Sequence, residues 1–137
     1  MKRTYAAPLT AVDRAEVLPG KGVRAEKDVV AHDPYLAGHY PHFTIYPGVF
    51  TIESVHQAVR RMVAAERGDW VRTEIDTIVS VSLSAPLLPG DVLRVQADRV
   101  PTAEEDLVRV KALCRRSDDV VAAKMTLVLR VHPEEAP

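Results

Sequence analysis

The chain has 137 residues, 47% of them hydrophobic and 27% charged, with a formal net charge of −1, the profile of one ordinary globular domain. So balanced a charge excludes a broad electrostatic grip on nucleic acid, and no apolar run approaches membrane-spanning length. The basic start Met1-Lys2-Arg3 lacks the apolar stretch of a secretory signal, and the single cysteine, Cys114, makes no internal disulfide, so a cytoplasmic protein is expected.

Residues 9–17 read as a first strand, Pro19-Gly20-Lys21-Gly22 as a turn, and 23–29 as a second strand with weaker alternation. Residues 31–47 hold four aromatics, three prolines and three histidines without a period, which predicts a loop of the kind that carries chemistry. From 49 to 67 the period lengthens: Ile52, Val55, Val59, Met62 and Val63 recur at helical spacing, with Pro47-Gly48 before them and Gly68-Asp69 after. The remainder alternates as strand. Val71, Thr73, Ile75, Thr77, Val79, Val81 and Leu83 are expected on one face of a long strand, followed by strands at 93–97, 108–115 and 121–131.

Turns are expected at Pro86–Gly90 and at Ser117-Asp118-Asp119, and Cys114 and Trp70 as packing residues. One-sided alternation needs a partner for its apolar face, and a lone apolar helix supplies it. The prediction is an α+β fold: a curved antiparallel sheet of five to six strands wrapped round one long central helix. It forms a single domain over 1–137 with loose ends at 1–7 and 133–137.

Two motifs stand out. Gly38-His39-Tyr40-Pro41 is followed, fourteen residues after the histidine, by Glu53 in Pro47-Gly48-Val49-Phe50-Thr51-Ile52-Glu53-Ser54-Val55-His56-Gln57. An imidazole and a carboxylic acid can serve as base and acid near neutral pH. His39-x-x-His42 and Glu53-x-x-His56 raise a metal site, but neither a cysteine nor a second Glu-x-x-His completes a ligand set, so none is assigned. His56 is read as a helix-surface or interface residue, and His32 as a loop residue.

This pattern, with Val12-Asp13-Arg14 upstream and Pro89-Gly90-Asp91 downstream, resembles the 3-hydroxyacyl-acyl-carrier-protein dehydratases of the hot-dog fold, and most nearly their FabZ-like branch. The resemblance implies dehydration of 3-hydroxyacyl thioesters to trans-2-enoyl thioesters in fatty acid or polyketide biosynthesis. His39 would be the general base and Glu53, facing it from the other protomer, the acid, which requires a desolvated setting that raises its pKa. Gln57 would orient the acid, and the N–H groups of Gly48 and Val49 would hold the thioester oxygen.

The resemblance implies no metal or redox cofactor, because the substrate rides on the phosphopantetheine arm of an acyl carrier protein. It also implies a homodimer or higher even oligomer, with a heterodimer containing another hot-dog subunit as the alternative. Arg60, Arg61, Arg67 and Arg72, or Arg115 and Arg116, are expected to offer a basic landing patch. A glutamate at 53, where the isomerising branch has aspartate, implies dehydration without double-bond migration. The rival chemistry is a hot-dog thioesterase in which Glu53 activates water.

Overall fold

The computed structural model describes residues 9–30 and 45–132. Among them lie six strands and one helix: β1 (Arg14–Leu18), β2 (Gly22–Asp28), α1 (Gly48–Arg67), β3 (Arg72–Leu83), β4 (Val92–Val100), β5 (Leu107–Arg115) and β6 (Val121–His132). The strands form one antiparallel sheet in the order β1-β2-β4-β5-β6-β3. Alternation puts Val23, Ala25, Leu93, Val95, Val110, Leu127 and Leu129 in the core, where they surround Val55, Ala58, Val59, Met62 and Val63 of α1. This is the sheet round one helix that the residue periods predict, and the hot-dog arrangement that the resemblance implies.

Met62 is fully buried near the middle of this core. Truncating it leaves a void that rigid neighbours fill only in part. Met62→Ala is therefore expected to cost about 2–5 kcal/mol, seen as a lower urea midpoint with an unchanged denaturant slope.

Two local features differ from the expectation. The first strand starts at Arg14, not at residue 9. The preceding backbone is engaged elsewhere: Gln57 Nε2 donates to the Leu9 carbonyl and Ala11 N–H donates to Gln57 Oε1, both at 2.9 Å. Those groups are thus lost to a ladder. Val12-Asp13-Arg14 then fastens β1 to β2, with Asp13 accepting from Asp28 N–H at 2.7 Å and Arg14 forking onto Asp28 at 2.6 and 2.9 Å.

The second difference lies in β3. Register shifts between Ile75 and Thr77 and between Ile78 and Ser80 interrupt strict alternation. Ile75, Ile78 and Val81 consequently stand opposite the buried Leu129, Leu127 and Met125, while Thr77 and Val79 leave the series expected on that face. Ile78 (51% exposed), Val79 (48%) and Leu83 (57%) remain uncovered. Among the described residues β3 pairs only with β6, so its outer edge is open.

Both flanks of 31–44 are fixed to the turn between β3 and β4. Val29 N–H donates to Asp91 O at 3.0 Å, Gly90 N–H donates to Val29 O at 2.9 Å, and Tyr46 N–H donates to Leu87 O at 2.8 Å. Gly90 holds φ +96°, which its place in Pro89-Gly90-Asp91 requires. No described helix is long and apolar enough to cross a membrane. Cys114 is a core residue as expected, and burial pushes its thiol up to about 12.

Candidate active site

Helix α1 starts where Pro47, in extended backbone, turns its carbonyl into the helix and accepts from the N–H groups of Phe50 (2.9 Å) and Thr51 (3.2 Å). No acceptor among the described residues meets the N–H of Gly48 or Val49, as is usual in a first helical turn. Val49 is 68% exposed. A Cβ at position 48 would stand 2.5 Å from Leu83 Cδ1, so the glycine lets that side chain lie against the helix start. Gly48, Tyr46, Thr51, Leu83 and Leu87 line a cavity of about 300 Å³. Tyr46 is locked there by donating to Ser54 Oγ at 2.9 Å while Ser54 donates to the Phe50 carbonyl at 3.0 Å.

Glu53 follows in the second turn and opens onto a different cavity, of about 380 Å³, lined by His56, Gln57, Arg60, Trp70 and Arg72. Both of its oxygens are gripped. Gln57 Nε2 donates to Oε1 at 3.3 Å, and His56 Nδ1 meets Oε2 at 3.2 Å. The i,i+3 and i,i+4 spacings of one helix face bring these groups together. Gln57 is itself anchored by the chain ahead of β1.

The charge state of Glu53 differs from the expectation of a raised acid. The hydrogen bond from His56 holds its carboxyl below the usual carboxylate range, against a desolvation that pushes it up, with smaller help from Gln57 and Arg60. The Glu53 side chain is 36% exposed. Burial in the single chain is too shallow to keep the acid neutral.

His56 is the residue that periodicity undervalued. Expected on the helix surface or at an interface, it lies between α1 and β3, its Nε2 2.9 Å from Thr73 Oγ1. Both ring nitrogens are engaged, one by Glu53 and one by Thr73. The signal was Glu-x-x-His on one helix face, but nothing in it showed which strand would supply the second partner. Trp70 lies over Gly68 and forms one wall of the cavity.

His39 lies outside the described residues, as do His32 and His42. Of the arginines expected to form a landing patch, Arg61 and Arg67 donate to the carbonyls of Val12 and Glu105, Arg115 to that of Asp119, and Arg116 pairs with Asp118. Arg60 and Arg72 stand at the Glu53 cavity.

Comparison with known proteins agrees with this fold. The chain resembles the dehydratase heterocomplex ApeI:P from Xenorhabdus doucetiae, with a TM-score of 0.73 at 17% identity over 96% of this chain and 88% of that one. It also resembles the fluoroacetyl-CoA thioesterase FlK, with a TM-score of 0.67 at 17% identity over 85% and 89%. These likenesses define the class: a hot-dog domain.

The profile of the ApeI-like family, described as ApeI dehydratase, matches residues 15–125. The 3-hydroxyacyl-acyl-carrier-protein dehydratase FabZ of Nitrosospira multiformis is 31% identical over 138 residues, spanning 93% of this chain and 90% of that relative. The chain belongs to the FabZ-like family of hot-dog dehydratases.

Proposed function

We propose that the chain removes water from 3-hydroxyacyl thioesters to give trans-2-enoyl thioesters in fatty acid or polyketide biosynthesis, in the cytoplasm. The acyl group arrives on the phosphopantetheine of an acyl carrier protein, and no metal or redox cofactor takes part. The observation that carries this reading is Glu53, held on both oxygens yet facing an open cavity, in a chain of a dehydratase family.

His39 takes the proton from the carbon beside the thioester carbonyl, and that C–H pair becomes the new double bond as the C–O bond of the 3-hydroxyl breaks. Glu53 gives its proton to the departing oxygen, which leaves as water. Solvent then returns the imidazolium proton to the carboxylate. The N–H groups of Gly48 and Val49 hold the thioester oxygen while negative charge builds there.

On one chain Glu53 and Gly48 line separate cavities. A homodimer, in which Glu53 comes from the partner protomer, resolves this, and the open edge of β3 with Ile78 and Val79 supports it. Association also supplies the desolvation that a proton-donating Glu53 requires. Arg60 and Arg72, which line the Glu53 cavity, suit an acidic carrier. The Xenorhabdus structure is a dehydratase heterocomplex, which keeps a second hot-dog subunit as the alternative partner. Activity only after mixing with such a subunit would establish that arrangement.

One observation favours a second chemistry. A carboxyl held in its charged form suits a base that activates water, and the fold is shared with a thioesterase. Incubating the purified chain with a 3-hydroxyacyl N-acetylcysteamine thioester separates the two. Dehydration predicts an enoyl thioester lighter by one water, read by mass spectrometry, with no free thiol. Thiol release without enoyl product would establish the hydrolase instead.

A further inference from the structure

The hydrogen-bonded series Glu53–His56–Thr73 runs from the helix face that opens onto the cavity to the edge strand β3. We propose that His56 is a positioning residue for the dehydration, holding Glu53 Oε2 through Nδ1–H while Thr73 fixes the ring. This rests on the reading of Glu53 as the acid and deepens it.

The direction of each bond follows from the atoms. An ionised carboxylate only accepts, so Nδ1 carries a proton. In the neutral ring Nε2 is then an acceptor, and the Thr73 hydroxyl donates to it. The ring cannot turn without breaking one contact with α1 or one with β3. Gln57 grips the other oxygen, Oε1, so the carboxyl plane is set from two sides.

This arrangement stabilises the carboxylate that remains once Glu53 has delivered its proton, which is where a charge-assisted bond helps the forward step. The other charged groups lining the cavity are Arg60 on α1, Asp69 in the turn before β3, and Arg72 on β3. None of them bridges Glu53 to the strand in the way His56 does. His56 is deeply set, with 15% of its side chain exposed. Thr73, which pairs with Val131 on β6, is itself nearly buried.

The test uses the full chain in its native assembly, with Glu carboxyls labelled with ¹³C, and compares His56→Leu, His56→Asn, Thr73→Val and Glu53→Gln. Asparagine keeps an N–H donor near the place of Nδ1 but no titrating ring. His56→Leu is expected to lower kcat about 10- to 100-fold, the effect of losing a hydrogen bond to a charged group, with KM little changed. The Glu53 carboxyl should then titrate at higher pH, because its largest stabilising contact is gone.

His56→Asn should restore both readouts, and Thr73→Val should move them in the same direction by less. Thr73→Val also keeps the test decisive if His56→Leu does not fold. An unmoved Glu53 titration in His56→Leu and Thr73→Val, or His56→Asn behaving like His56→Leu, would overturn the proposal. Full turnover by Glu53→Gln would instead remove Glu53 from the chemistry, and the positioning role with it. A dead Glu53→Gln with an unmoved titration would remove His56 alone.

Discussion

Glu53→Gln is expected to lower kcat about 10²- to 10⁴-fold, the range that a placed general acid contributes, while thermal unfolding and oligomeric state stay close to those of the parent. Loss of activity follows because an amide has no acidic proton to give the departing hydroxyl. Retention of the fold follows from the hydrogen bonds around it. The amide oxygen can still accept from Gln57 Nε2, and His56 can adopt its other tautomer, accepting at Nδ1 from the new NH₂ and donating at Nε2 to Thr73. No buried group is left without a partner. His39→Ala should show the same loss of turnover. Near-parental rates in either variant, measured on a 3-hydroxyacyl thioester, would rule out the assigned pair.

Mixing those two inactive variants should recover activity. If each site takes His39 from one protomer and Glu53 from the other, a mixed dimer contains one site with both groups intact. Random re-pairing of an equal mixture then gives about a quarter of parental turnover. A site built within one chain would recover none. The same geometry predicts that Ile78→Lys, which places a charge on the open edge of β3, yields a monomer by light scattering and abolishes turnover with it. A stable, active monomer would refute the shared site.

The sequence made the scaffold legible wherever a period ran uninterrupted. The helical spacing of Val55, Val59, Met62 and Val63 placed α1 within one residue of Gly48–Arg67, and one-sided alternation placed β4, β5 and β6. The errors fell where a non-local contact overrode local pattern. Leu9 and Ala11 alternate acceptably for a strand, but the Gln57 amide claims their backbone. The register shifts in β3 are invisible to a period-two reading, since a strand with slipped alternation and one without contain the same kinds of residue.

The candidate site divides similarly. Glu53 and Gln57 announce their proximity through helical spacing. The partnership of His56 with Thr73 spans seventeen positions and depends on how β3 meets α1, which no local spacing encodes.

A single side-chain amide at position 57 both ties down the segment ahead of β1 and steadies the carboxylate. Any displacement of the Leu9–Ala11 backbone therefore acts on the same amide that holds the Glu53 carboxylate. Position 57 thus couples the anchorage of that segment to the setting of the Glu53 carboxylate.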